Sequence, residues 1–166
     1  MSTDIKLKQL TANDTKDFYS LVHSDPVEPE ESPMVRFLQS YVQDEKSTKE
    51  MIQDFSRQYD GKLYHYYMIQ LDGKSIGFVS AEYSRIFHTG FYVTYFLGKD
   101  FRGNGYMETV IELLFEKLAP MGLPCIFDID ANNYPSRTII EKIARHPIDS
   151  YVDGNKNQFL TYLIYP

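Results

Sequence analysis

At residues 91–105 the chain passes from an apolar strand pattern into a helical one through Arg102-Gly103-Asn104-Gly105. Residues 91–97 are aromatic and β-branched, as a buried strand requires, and Met107, Val110, Ile111, Leu114 and Leu118 then keep helical spacing. The first turn of a helix has N–H groups without intrahelical acceptors and lies at the positive end of the macrodipole. Two glycines let an anion approach those N–H groups closely, and Arg102 adds a fixed charge with a planar fork of donors. The stretch predicts a strand, an anion-binding turn and a helix, with a phosphate or pyrophosphate as the guest.

Two familiar phosphate loops are excluded. A P-loop places Lys and Ser/Thr after its second glycine, where this chain has Tyr106 and Met107, and a dinucleotide fingerprint places a third Gly or Ala where it has Glu108. Asp100-Phe101-Arg102-Gly103-Asn104-Gly105 resembles instead the Gln/Arg-x-x-Gly-x-Gly/Ala pyrophosphate loop of the GNAT superfamily of acetyl-CoA-dependent N-acetyltransferases, with Asp100 in place of the first residue. The longer string from Tyr95 to Met107 is similar to the branch that holds ribosomal-protein N-terminal acetyltransferases. A second segment, Asn133-Tyr134-Pro135-Ser136 continuing to Ile143, resembles the Asn-x-x-Ser/Ala that opens the family's next helix. The resemblance covers residues 76–143; beyond Ile143, Ala144-Arg145-His146-Pro147 replaces the usual Gly-Phe.

This resemblance implies acetyl-CoA as co-substrate, with its pyrophosphate held by Arg102, Gly103, Asn104, Gly105, Tyr106 and Met107. It implies that the backbone of Phe96 and Leu97 bonds the pantetheine arm and the thioester oxygen, and that Asn133 anchors the pantetheine or a water beside it. Many members protonate the departing thiolate with a tyrosine four residues past Ser136, where this chain has Ile140. The N-terminal acetyltransferase branch uses a serine at the place of Ser136, which makes Ser136 the candidate acid; helix capping is its ordinary alternative.

Acetyl transfer from a thioester to an amine needs an unprotonated amine, a polarised carbonyl and a proton for the departing thiolate. Glu82, near the end of the strand before the Phe91 strand, is the candidate base, with Asp128, Asp130 and His88 as rivals. Cys125 raises a two-step route through an acetylated thiol, but it falls in a buried strand pattern without a neighbouring His and reads as a small hydrophobe. His23, His65, His88 and His146 lack metal-ligand spacing, so no metal is expected.

In chain order, residues 5–9 alternate as a short strand, and Thr11-Ala12-Asn13-Asp14 caps a helix with Phe18, Leu21 and Val22. Residues 24–33 carry three prolines and four carboxylates, which predicts an acidic loop; Asp25, Glu28, Glu30 and Glu31 there would attract an amine or simply solvate a connector. A helical face of Met34, Phe37, Leu38 and Tyr41 follows, then a break near Asp44 and a capping box at Ser47-Thr48-Lys49-Glu50 before Met51, Ile52, Phe55 and Tyr59. Asp72-Gly73 joins two strands as a hairpin, and residues 90–97 make a third antiparallel strand. Residues 125–129 read as a strand parallel to it, since a helix connects them; a helix from near Pro135 and a hairpin of 150–152 with 159–165 complete the order. The order βααβββαβαββ predicts an α/β (α+β) domain spanning 1–166: a mixed, mostly antiparallel six- to seven-stranded sheet with helices on both faces, the GNAT acyl-CoA N-acyltransferase fold.

The length suits one domain with a real core, and one cysteine excludes an internal disulfide framework. No signal peptide or membrane span is read, so a cytoplasmic protein is expected. Seventeen Lys and Arg against twenty-three Asp and Glu, net −6, argues against nucleic-acid binding and suits a cationic acceptor. The functional expectation is direct transfer of an acetyl group, in a ternary complex, to a primary amine on a small molecule or a peptide N-terminus. The alternative is a non-catalytic acyl-CoA-binding sensor or interaction module. Exposed strand edges leave a homodimer open.

Overall fold

The computed structural model describes residues 3–24 and 33–166, the side chains of 33–35 excepted. The acidic stretch with Asp25, Glu28, Glu30 and Glu31, and the side chain of Met34, lie outside the described residues. The elements are β1 (Ile5–Gln9), α1 (Thr15–Val22), α2 (Pro33–Tyr41), α3 (Glu45–Gln58), β2 (Tyr64–Leu71), β3 (Lys74–Ser84), β4 (Gly90–Leu97), α4 (Tyr106–Leu118), β5 (Cys125–Asp130), α5 (Tyr134–Ala144), β6 (Asp149–Val152) and β7 (Gln158–Ile164). Seven strands form one sheet in the order β1-β2-β3-β4-β5-β7-β6. Every neighbouring pair is antiparallel except β4 and β5, as a strand–helix–strand connection requires.

Strand alternation divides the apolar residues between two cores. Tyr66, Met68, Phe78 and Phe96 face α1, α2 and α3, where they meet Phe18, Val22, Leu38, Met51 and Ile52. Val79, Ala81, Phe91, Val93, Phe127 and Tyr162 face the other way, against Val110, Ile111, Leu114 and Leu118 of α4 and Ile140 of α5. Helices therefore cover both faces, as the sequence order predicts. The β2–β3 hairpin closes on Asp72 (φ 50°) and Gly73 (φ 83°), the left-handed pair that matches the twist of a two-residue turn.

Two local expectations are corrected. The cap of α3 is Asp44, whose carboxylate accepts the Ser47 N–H at 2.7 Å while Ser47 Oγ accepts the Asp44 N–H at 3.1 Å; the reciprocal box sits three residues before Ser47-Thr48-Lys49-Glu50. An ionised side chain one position before the first helical residue is the better acceptor for that N–H. Leu38 of α2 and Val42 just past its end are the buried pair, whereas Phe37 and Tyr41 are exposed and stack on each other, ring centroids 6.1 Å apart. Leu38 is buried as expected, and the correction concerns Phe37 and Tyr41, which share the same four-residue spacing as the pair that is buried. Among the described residues, no helix is long and apolar enough to cross a membrane.

Candidate active site

β4 and β5 pair at only two positions, Phe91 with Cys125 and Tyr92 with Ile126. β3 pairs with β4 as far as Leu97, and β7 pairs with β5 as far as Asp130, so each strand continues on its outer side after the β4–β5 ladder has ended. The two parallel strands part toward their C-terminal ends. The backbone groups facing this gap have no strand partner, and unpaired backbone groups are what an extended, amide-bearing ligand can bond.

Beyond the end of β4, a short 3-10 turn (Lys99–Phe101) leads into Arg102-Gly103-Asn104-Gly105 and the start of α4. Gly103 and Gly105 both have φ 75°, in the left-handed region that L side chains avoid, and a Cβ on either would meet nothing within 4 Å. The N–H groups of Gly103, Asn104 and Gly105 make no backbone hydrogen bond among the described residues. The 13-residue helix α4 adds its N-terminal dipole and the N–H groups of Tyr106 and Met107. An open, glycine-lined turn of N–H donors at a helix start has the form that anion binding requires. Arg102 turns its Nε back to donate to the Leu97 carbonyl at 2.9 Å, tying the cradle to the end of β4. The Asn104 side chain donates to the Arg102 carbonyl at 3.0 Å and holds the turn in shape.

Gly77 explains how β3 and β4 come together beside the gap. A Cβ there would lie 2.3 Å from the Phe96 carbonyl oxygen and 3.1 Å from Leu97 Cα. Only a glycine admits β4 at this approach. Phe96 and Leu97 are themselves buried, and their side chains point to opposite cores, so what they present to the gap is backbone.

Asn133 and Ser136 stand on the far side, at the start of α5. Asn133 caps the helix, its Oδ1 accepting the Ser136 N–H at 3.3 Å. The Ser136 hydroxyl is hydrogen-bonded to the Tyr95 hydroxyl, which reaches it from β4. Ile140, one turn along α5, is fully buried and aliphatic. The structure thus brings Phe96, Leu97, the 102–107 turn, Asn133 and Ser136 to the mouth of a single gap.

Glu82 lies on β3 opposite Tyr92, the last β4 residue paired with β5, one strand from the gap and on the sheet face that carries α1, α2 and α3. Burial pushes its carboxyl up, and the neighbouring Tyr66 hydroxyl opposes that shift. The Tyr66 hydroxyl itself donates to Gln58 Oε1 at 2.8 Å. Among the rivals, Asp128 accepts from the Thr161 hydroxyl at 2.7 Å and the Tyr151 hydroxyl at 3.4 Å, and Asp130 accepts the Asn132 N–H at 2.8 Å. His88 sits in the β3–β4 turn, at the opposite end of β4 from the anion turn, with Nε2 3.5 Å from Asp149. Cys125 is fully buried and burial pushes its thiol up to about 12, which makes it a poor nucleophile. No group of three or more His, Cys, Asp and Glu among the described residues is placed to hold a metal ion.

One residue at the gap was not singled out for chemistry from sequence. Tyr95 reads in sequence as one more aromatic of a buried strand; in the structure it lies on the α4–α5 face with Leu97, and its hydroxyl reaches Ser136.

The family profile described as an acetyltransferase (GNAT) domain matches residues 4–144. No curated protein matches the chain. Among solved structures, the ribosomal alpha-N-protein acetyltransferase RimL in complex with coenzyme A aligns with TM-score 0.77 at 17% identity, covering 99% of this chain and 95% of that one. RimJ of Mycobacterium smegmatis, in complex with a CoA disulfide, aligns with TM-score 0.75 at 13% identity over 96% of this chain and 81% of its own. A spermidine N-acetyltransferase SpeG chimera from Vibrio cholerae and hSSAT aligns with TM-score 0.70 at 13% identity over 97% and 95%. At these identities the neighbours show the fold, and the profile match over most of the chain shows the rest: the protein belongs to the GNAT acetyltransferase family.

Proposed function

We propose that the protein, acting as a single unit over residues 1–166, transfers the acetyl group of acetyl-CoA directly to a primary amine in a ternary complex. The observation that carries this reading is the gap between β4 and β5, which leads out to an open turn of N–H donors. A phosphate-bearing ligand with a long amide arm fits such a site: the turn takes the pyrophosphate, and the parted strands take the arm. The donors for the pyrophosphate are the N–H groups of Gly103, Asn104, Gly105, Tyr106 and Met107, with Arg102 beside them. Phe96 and Leu97 offer backbone to the arm, and Asn133 and Ser136 close the site from α5.

Acetyl-CoA brings a thioester whose carbonyl carbon an amine can attack. Ser136 donates toward the departing sulfur, and Glu82 receives the amine proton directly or through water. Glu82 faces the α1–α3 side of the sheet while Ser136 lies on the α5 side, so proton removal and proton delivery take place on opposite faces of the sheet. Much of the rate comes from orientation, where about 7–11 kcal/mol is available to a well-aligned pair. The acceptor is a peptide N-terminus or a small-molecule amine; the solved neighbours named for ribosomal alpha-N-protein and spermidine acetylation represent both classes. A buried free thiol suits the reducing cytoplasm, where we place the reaction.

The test is incubation with acetyl-CoA and a panel of polyamines, aminoglycosides and short peptides with free N-termini, read by mass spectrometry and thiol release. One class gaining a single acetyl group supports the proposal. Saturable CoA binding without turnover on any of the panel would instead make the protein a binding module.

A further inference from the structure

The Tyr95 ring crosses from β4 beneath the gap, packs edge-on against Phe127 of β5 with ring centroids 6.4 Å apart, and ends in a hydrogen bond to Ser136 Oγ. The other polar side chains at the start of α5 are engaged elsewhere. Thr138 donates to the Tyr134 carbonyl at 2.8 Å, and Arg137 is held by Glu141 at 3.1 Å and by the Ala131 carbonyl at 2.9 Å. Ser136 is the one of these three that is hydrogen-bonded to β4.

A serine hydroxyl is a weak acid, and losing its proton outright would leave an alkoxide in a partly buried site. A phenol ordinarily titrates near 10, far closer to a thiol. A hydroxyl that donates to sulfur while accepting from a phenol avoids the alkoxide.

We propose that Tyr95 is a positioning residue for proton delivery: its hydroxyl donates to Ser136 Oγ, which aims the Ser136 proton at the departing sulfur and is re-protonated by Tyr95 as it gives that proton up. This rests on the acetyl-CoA reading above. As the carbonyl C–S bond breaks, its electron pair goes to sulfur; sulfur takes the Ser136 proton, Ser136 takes the Tyr95 proton, and Tyr95 becomes a phenolate that solvent re-protonates once CoA has left. The proton lost by the amine goes to the base on the other face. Burial pushes the Tyr95 hydroxyl up to about 12, against the opposing effect of its Ser136 bond, so the phenol holds its proton at neutral pH until the step occurs.

The test needs no acceptor. Free CoA is bound to the intact protein, and its thiol is titrated by the ultraviolet absorbance of the thiolate. Donors at the sulfur stabilise the thiolate, so Tyr95→Phe is expected to show about three- to tenfold less thiolate at a given pH. Ser136→Ala should lose at least as much, the double variant no more than Ser136→Ala, and Ser136→Thr should restore the parent titration. Tyr95→Phe keeps the ring against Phe127, and 3-fluorotyrosine at position 95 gives a second readout with every contact retained: a more acidic phenol should increase the thiolate fraction. Variants with weaker CoA binding but the parent's thiol titration would reduce Tyr95 to packing and overturn the proposal, as would additive effects of Tyr95→Phe and Ser136→Ala. A folded parent that binds no CoA would overturn the acetyl-CoA reading itself, and this one with it.

Discussion

Gly105 and Gly122 form a matched pair for separating backbone strain from ligand contact. Both have φ in the left-handed region, 75° and 65°, and at both a Cβ would enter open space. An alanine at either position costs folding about 1–2 kcal/mol for the forced conformation and touches nothing else. For a chain of this size each kcal/mol lowers Tm by about 2–4 °C, so both variants should melt about 2–8 °C below the parent. Their effects on CoA should differ. At Gly105 the new methyl stands in the space above the N–H cradle, and the pyrophosphate must withdraw from charge-assisted bonds worth about 1.5–3 kcal/mol each. Losing one such bond weakens CoA about 10- to 150-fold. Calorimetric titration and thermal melting of the three proteins give both numbers. Equal CoA affinity in parent and Gly105→Ala, or equal weakening in Gly122→Ala, would refute the placement of the pyrophosphate.

Other expectations follow from single residues. Burial raises the folded-state pKa of Glu82, so the native state binds the proton more tightly than the unfolded chain, and Glu82 costs stability increasingly as pH rises above the ordinary carboxyl value. Glu82→Gln should therefore melt above the parent at pH 7–8, with the difference vanishing near pH 4; a constant difference would contradict the shift. If Glu82 is the base, the same variant removes the acidic limb of the kcat/KM profile, and an unchanged profile removes Glu82 from that role. Phe18 is fully buried edge-on to Phe78 at 5.3 Å and Phe96 at 5.9 Å, so Phe18→Ala should cost about 3–5 kcal/mol in urea unfolding; a loss below about 1 kcal/mol would mean that α1 collapses onto the sheet. Gly77→Ala drives a Cβ against the Phe96 carbonyl and should lower both Tm and CoA affinity, whereas a thermal loss alone would separate β3 packing from the gap.

The parts of this fold that were legible in sequence are those where one residue type answers one backbone demand. Asp72-Gly73 supplies two consecutive positive φ angles, Gly103 and Gly105 supply the open turn, and Asn133 followed by Pro135 marks the start of α5. Strand patterning marked where the strands run. It did not give the parting of β4 and β5, because Val93, Phe127 and Ile129 are apolar on account of the core they face, whether or not the backbone beside them is paired. For the same reason Tyr95 looked like one more core aromatic: its partner, Ser136, lies 41 positions away across a gap that local pattern does not encode. The cap at Asp44 was missed because Ser47, its reciprocal partner, is itself a favoured capping residue.

The most direct test of the account is a structure of the protein with acetyl-CoA bound. Pyrophosphate oxygens are expected on the N–H groups of residues 103–107, the pantetheine arm between β4 and β5 beyond Tyr92 and Ile126, and the sulfur beside Ser136. Acetyl-CoA bound on any other surface, with the β4–β5 gap closed, would contradict it.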